Sequence, residues 1–275
     1  MRPILLLAIA VLAFGGASAR AAEPLPIFDA HLHYSHDAWG PVPPERAVAI
    51  LREAGLKRAM VSSSDDDGTQ KLFALAPDLV VPVLRPYRKR GDLSTWVKDE
   101  TVLTYLSERL AKYKYAGIGE FHVYGADADL PVVRRMVQMA KERGLFLHLH
   151  GDAEAVERVF AQDPSARILW AHSGFDRPEN VRATLQRHAK LWADLAFRTD
   201  HASGGVVDPA WRALFEAFPD RFMVGTDTFT PERWHYVVDH AAYTRKWLAD
   251  LPTELAERIA YRNGEAFFAH APSGG

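Results

Sequence analysis

The chain has 275 residues, of which 48% are hydrophobic and 25% charged, and its formal net charge is −2. This is ordinary globular composition, long enough for one large domain or two small ones, and its slight acidity advertises no surface for a polyanion. Cysteine is absent, which excludes disulfides, thiolate metal ligands and a lipid-anchored N-terminal cysteine.

The first stretch reads as a targeting signal over residues 1–21. Arg2 supplies the positive start, and residues 4–14 form an apolar core too short to span a bilayer, which takes about 20 residues. The small residues after this core permit cleavage after Ala19 or Ala21. Losing Arg2 and Arg20 from the 33 basic residues leaves 31 against 35 acidic ones, a net charge of −4. The mature chain, residues 22–275, is thus expected to be periplasmic or secreted, with no membrane anchor once the signal is cleaved.

Beyond the leader, strand-like and helix-like stretches alternate. Strand candidates lie at 27–33, 57–63, 79–84, 115–121, 145–150, 167–171, 191–197 and 221–224. Helical spacing of apolar residues marks 45–53, 69–76, 101–113, 131–143, 153–161, 176–188 and 209–218. Gly55 and Gly144 stand where C-caps belong, and two more helices are read at 231–248 and 253–268. Such alternation means parallel strands joined by crossover helices. No Pro/Gly/Ser-rich linker divides it. Eight units with polar residues gathered at the strand ends predict an α/β fold, a single-domain (β/α)8 TIM barrel, over an open doubly wound sheet. No dinucleotide or P-loop glycine motif is present.

The polar residues at those strand ends carry chemistry. His31 and His33 are spaced i, i+2 on the first strand, so they share a face while Leu32 turns away. The fourth strand adds Glu120, the fifth His150, the sixth His172 and the eighth Asp227. A barrel brings these tips to one mouth, where six such groups suit a divalent metal, zinc foremost, with manganese or another first-row ion as alternatives.

The ordered set resembles the amidohydrolase superfamily of metal-dependent TIM-barrel hydrolases, in its amidohydrolase-related branch. The resemblance rests on Phe28-Asp29-Ala30-His31-Leu32-His33, Leu147-His148-Leu149-His150, Ile168-Leu169-Trp170-Ala171-His172-Ser173-Gly174, Val224-Gly225-Thr226-Asp227 and Asn263-Gly264-Glu265-Ala266-Phe267-Phe268. It implies that His31 and His33 ligate a first metal, that His150 and His172 face the same cavity, and that Asp227 is both ligand and proton acceptor. Many binuclear members bridge two ions with a carboxylated lysine on the fourth strand. Here Glu120 stands there, similar to TatD-type nucleases and some lactonases, and its placement decides whether one ion or two bind. His150 is preferred to His148 because it lies at the strand tip, with His148 one layer deeper.

The expected reaction is attack of a metal-activated water on an ester, lactone, amide or similar bond of a small molecule. Asp227 would take the proton, and His172 would ligate a second metal or stabilise the oxyanion. Arg85 and Arg198, at the third and seventh strand ends, favour an anionic substrate, unless they pair with Asp65-Asp66-Asp67 or Asp200. Tyr87, Tyr124, His201 and Trp39 are further pocket candidates, and Arg88-Lys89-Arg90 reads as a solvated loop. The alternatives are a non-oxidative decarboxylase of the same superfamily, a TatD-type nuclease and a non-catalytic binding barrel. No nucleic-acid partner is expected, and the oligomeric state is left open.

Overall fold

The computed structural model describes residues 24–269; the expected signal peptide lies outside them. Seven strands alternate with helices: β1 (Ile27–Leu32), β2 (Leu56–Val61), β3 (Val80–Leu84), β4 (Gly117–His122), β5 (Phe146–His150), β6 (Ile168–Trp170) and β7 (Leu191–Asp194). A two-stranded hairpin, β8 (Ala202–Ser203) and β9 (Val206–Val207), comes next, and β10 (Phe222–Met223) is the last barrel strand. The barrel order is β1 to β7 and then β10, with every pairing parallel. The segment after β10 closes the ring. Ala30 N–H donates to Val224 O at 2.9 Å, Asp227 N–H to His31 O at 2.8 Å and His33 N–H to Thr228 O at 3.1 Å. This is a single-domain (β/α)8 TIM barrel, as the alternation of elements predicts.

Local signals set the helix ends. Pro44 opens the helix Pro44–Glu53, whose Ala47, Ile50 and Leu51 are buried at i, i+3, i+4 spacing. Gly144 closes Pro131–Arg143 in the left-handed conformation at φ 66°. Asp152 caps Ala153–Gln162 by accepting from Ala155 N–H at 2.8 Å. The expected helix 231–248 divides into a 3-10 turn, Pro231–Tyr236, and an α-helix, Val237–Leu248. The stretch read as a helix at 253–268 carries a π turn, Arg258–Arg262, in its middle.

The strand side chains sort into two cores. Met60, Val81, Val83, Phe146, Leu169 and Met223 join Phe28, Ala30, Phe267 and Phe268 in an inner cluster. Their neighbours Ala59, Val61, Val80, Leu84, Leu147 and Ile168 pack outward against the helices. This is the strict alternation of a filled barrel. Phe268 stacks on Phe28 at 4.9 Å and plugs the lower end. Asn263 fixes that plug by donating to Pro219 O and Phe222 O, each at 2.9 Å.

The alternation breaks at two points beside the site. β1 changes register between Asp29 and Leu32, and β4 between Gly119 and Phe121. Irregularities of this kind re-aim side chains. They turn His31 and His33 inward above Ala30, and Glu120 and His122 inward above Gly119. At Gly119 (φ 141°) a Cβ would collide with the backbone of His148, so glycine is required for β4 to approach β5.

Candidate metal centre

Four ligating groups meet at the C-terminal mouth of the barrel. His31 Nε2 and His33 Nε2 lie 3.2 Å apart. Asp227 Oδ1 is 3.6 Å from the first and 3.3 Å from the second. Glu120 Oε1 is 3.6 Å from His31 Nε2, and its Oε2 is 3.3 Å from His33 Nε2. Two donors held about 2.0–2.1 Å from one tetrahedral ion lie about 3.3–3.4 Å apart. His31, His33 and Asp227 therefore fit a divalent cation between them, with Glu120 alongside and, on its other side, His150 and His172; the site is buried, His31 being 0% exposed and His33 1%.

The imidazoles are oriented from behind. His33 Nδ1 meets Ser62 O at 2.6 Å, so it carries the proton and leaves Nε2 with a free lone pair. His31 Nδ1 faces Asp194 Oδ2 at 3.2 Å, and the same oxygen binds His148 Nε2 at 3.1 Å. Burial pushes His31 down, but Asp194, Glu120 and Asp227 outweigh it and hold the ring well above the usual histidine range. In this donor set a proton on His31 takes the place of a cation, and metal binding would release it. Burial raises Asp227, yet His31 and His33 bring its carboxyl down to about 2. Asp194 and Glu120 are likewise held low by their cationic neighbours against the opposing effect of burial.

Glu120 also faces a second group. Its Oε1 is 2.6 Å from His150 Nδ1 and 3.5 Å from His172 Nε2. His172 occupies a left-handed run, His172, Ser173 and Gly174 at φ 55°, 51° and 67°. Asp194 secures that run by accepting from His172 N–H through Oδ1 at 2.9 Å and from the Ser173 hydroxyl through its backbone oxygen at 2.8 Å. His172 Nδ1 donates to Ala196 O at 2.7 Å, which turns Nε2 toward Glu120.

The six residues assigned to the metal therefore do come together. His148 lies one layer deeper, as expected, fully buried against Asp194. Of the residues assigned to substrate, Arg85 and Tyr87 line the cavity of about 340 Å³ above the centre. Arg85 is engaged there, donating from Nη2 to Glu120 Oε2 at 2.6 Å and from Nε to Glu120 O at 3.2 Å. Tyr124 is 53% exposed on the rim, its ring 6.2 Å from that of His150.

Arg198 and His201 are not brought to the cavity. Arg198 runs behind the sixth-strand turn, donating to His172 O at 3.0 Å and to Asp200 at 2.6 Å, and stacks on Trp211. His201 is buried behind the barrel beside Trp247, with neither ring nitrogen hydrogen-bonded among the described residues. Trp39 also stands apart, bonded to Tyr34 O and covered by Lys71. The hairpin β8–β9 and the early end of β7 account for the first two. Asp194 ends the strand by turning its carboxylate to Ala196 N–H at 3.0 Å, so the chain beyond residue 196 leaves the barrel wall.

Three contributors are not among the strand-tip residues that the sequence singles out. Asp194 is one, hidden because the apolar pattern carries the seventh strand on to residue 197; a lone acid in the run Leu191-Trp192-Ala193-Asp194-Leu195-Ala196 is its signal. His122 is another, at i+2 from Glu120 and therefore on its face. Its backbone N–H donates to the Tyr87 hydroxyl oxygen at 2.7 Å, and its Nδ1 lies 2.9 Å from that oxygen. Tyr87 is fully buried, and Nδ1 is the acceptor among the described residues for its O–H. Burial brings His122 down to about 3, so it is neutral, its proton is on Nε2, and it presents that N–H to the cavity. The third is Arg90, expected in a solvated loop. It pairs with Asp37 at 2.9 Å and lines the cavity with Phe175, Phe197 and Phe229.

A (β/α)8 barrel with polar and ionisable groups converging on its C-terminal mouth defines a TIM-barrel enzyme. The family model described as amidohydrolase matches residues 28–269. The chain belongs to that family and is an amidohydrolase-like enzyme. Among solved structures, an uncharacterised TIM-barrel protein from Bordetella bronchiseptica is similar at TM-score 0.62 and 13% identity, over 89% of this chain and 99% of that one. A zinc-bound amidohydrolase from Burkholderia multivorans is similar at TM-score 0.52 and 15% identity, over 90% and 99%. A probable 2-pyrone-4,6-dicarboxylic acid hydrolase from Acinetobacter baumannii, with citric acid bound, is similar at TM-score 0.51 and 11% identity, over 88% and 99%. At these identities the likeness is one of fold. No curated protein matches the chain.

Proposed function

We propose that the protein is an exported, metal-dependent hydrolase of a small molecule, acting on an ester, lactone, amide or similar bond. The observation that carries this is the trio of His31 Nε2, His33 Nε2 and Asp227 Oδ1, 3.2–3.6 Å from one another, with one Glu120 carboxylate oxygen 3.6 Å from His31 and the other 3.3 Å from His33. Zinc is the first candidate ion, and the zinc in the B. multivorans neighbour supports it.

When bound, such an ion supplies water acidified toward a pKa of about 7 and polarises the scissile bond. The Asp227 carboxylate, ionised at neutral pH, accepts the proton of the attacking water and returns it to the leaving group. The His122 Nε2–H offers a hydrogen bond to an oxygen of the substrate. Burial lowers His172, but its bond to Glu120 outweighs this and raises it; as imidazolium it steadies the charge that develops on the scissile oxygen. Phe175, Phe197 and Phe229 give the substrate an apolar wall and keep bulk water out, while Arg90 at the mouth meets an anionic group.

The close pairing of Arg85 with Glu120 favours a second reading, a metal-dependent non-oxidative decarboxylase, because a lyase needs fewer ligands. Product analysis separates the two. A panel of esters, lactones, amides, phosphoesters and unsaturated acids, assayed with and without added zinc, should give hydrolysis and no carbon dioxide. Release of carbon dioxide would establish the lyase instead. Export rests on the leader sequence. The N-terminal residue of protein recovered outside the cytoplasm should be Arg20 or Ala22; recovery with Met1 retained contradicts it.

A further inference from the structure

We propose that the mouth of the barrel takes a substrate whose scissile group is bonded directly to a flat aromatic ring, and that Phe175 and Phe197 bind that ring. The inference rests on the cation reading above and adds the class of substrate to it. In the cavity of about 340 Å³ the ionisable groups of the centre lie on the floor, and Leu93, Phe175, Phe197 and Phe229 form an apolar wall above them. Leu93, Phe175 and Phe197 are 40%, 51% and 48% exposed there. Large apolar side chains left half bare inside one concave site mark where an apolar part of a ligand lies.

The backbone supports the same reading. Phe175 and Phe197 sit at φ 51° and 59°, a left-handed conformation that bulky side chains rarely adopt and that glycine takes without strain. Outliers of this kind gather at ligand clamps. Packing into a core explains neither residue, because each is about half exposed. Neighbours hold both in place instead. Phe175 stacks on His172, with centroids 4.5 Å and planes 16° apart, and Arg233 lies over the ring of Phe197 at 4.8 Å and that of Phe229 at 5.5 Å.

Ring geometry favours an aromatic occupant over an aliphatic one. Phe175 is nearly parallel to His172, while Phe197 stands at 68° to His172 and at 61° to Phe229. A flat ring among such walls meets one in an offset stack and another by its edge, the two arrangements that aromatic pairs prefer. The centroids of Phe175 and Phe197 lie 4.5 Å and 6.5 Å from that of His172, whose Nε2 is 3.5 Å from Glu120 Oε1. The clamp thus begins one ring away from the floor, which puts the aromatic ring next to the scissile group. Charge limits the rest of the molecule. Of the two guanidiniums lining the cavity, Arg85 is engaged by Glu120 at 2.6 Å, which leaves Arg90, already shared with Asp37 at 2.9 Å, to meet one anionic substituent.

The test compares three hydroxamates, which chelate a metal through the same two oxygens and differ only in the group attached. Benzohydroxamate, cyclohexanecarbohydroxamate and acetohydroxamate are titrated into the zinc-loaded protein by calorimetry. Benzohydroxamate should bind about 10- to 100-fold tighter than acetohydroxamate, and about threefold or more tighter than the cyclohexane compound. Phe175→Ala and Phe197→Ala should each shrink the first ratio by about threefold to tenfold, whereas Phe175→Tyr, which keeps the ring, should retain it. A wild-type ratio near one, or a cyclohexane ring bound as tightly as the aromatic one, overturns the inference whether or not the variants fold. So do alanine variants, folded by circular dichroism, that keep the wild-type ratio. Titration into chelator-stripped protein separates the two readings. A ring preference that persists there at undiminished affinity removes the cation and leaves the aromatic site standing. A zinc-loaded protein that binds none of the three overturns both.

Discussion

Asp227 serves the site in two ways. Its Oδ1 lies within ligand distance of His31 and His33, and in the proposed reaction the same carboxylate would accept the proton. Asp227→Asn should preserve the circular dichroism spectrum and lower turnover of a panel substrate by a factor of about 10² to 10⁴. Unchanged turnover would remove Asp227 from the chemistry. His201 gives a prediction away from the site. Burial holds it down at about 4 against the pull of Asp200, and neither ring nitrogen has a hydrogen-bond partner among the described residues. Its unfolded value is near 6.5, so as pH falls from about 6.5 to 4 the unfolded chain takes a proton that the folded one refuses. Stability from this group is present above that window and lost on descending through it. Between pH 7 and 5 the loss is about 2 kcal/mol. Urea unfolding of His201→Leu should show that much less pH dependence than wild type; an equal dependence contradicts the assignment. Six donors are readable from the sequence because each ends an apolar run. Asp194 and His122 are not, since one depends on where β7 stops and the other on a hydrogen bond from a tyrosine 35 residues earlier.

The strand–turn units decide how those side chains are aimed. Behind β6, Arg198 holds the left-handed run at His172 by bonding its carbonyl, and Asp200 and Trp211 hold Arg198. Arg198→Ala removes these bonds and should cost about 2–3 kcal/mol, measured as a lower midpoint in urea unfolding. A midpoint within error of wild type would show that the turn stands without it. The order and type of these elements are plain in the sequence, because strands covered on both sides read as continuous apolar runs and Pro and Gly punctuate the helices. The hairpin β8–β9 is not legible there; two-residue strands carry too little pattern. The register breaks in β1 and β4 are also hidden. Only the closed barrel shows that Phe28 and His31, an odd number of residues apart, both face inward.

At the scale of the whole molecule, the barrel is a container that is apolar below and ionic above. Phe28, Phe146, Phe267 and Phe268 fill its lower end, and the carboxylate–imidazole cluster sits above them beneath a cavity of about 340 Å³. That size suits a small molecule. The proposed chemistry requires a cation held by His31, His33 and Asp227 beside Glu120. The most direct measurement is anomalous diffraction at the zinc edge from crystals of protein purified without chelator. A zinc peak is expected about 2.0–2.2 Å from His31 Nε2, His33 Nε2 and Asp227 Oδ1. A zinc peak elsewhere in the chain, or none at this position in crystals grown with zinc, would contradict it.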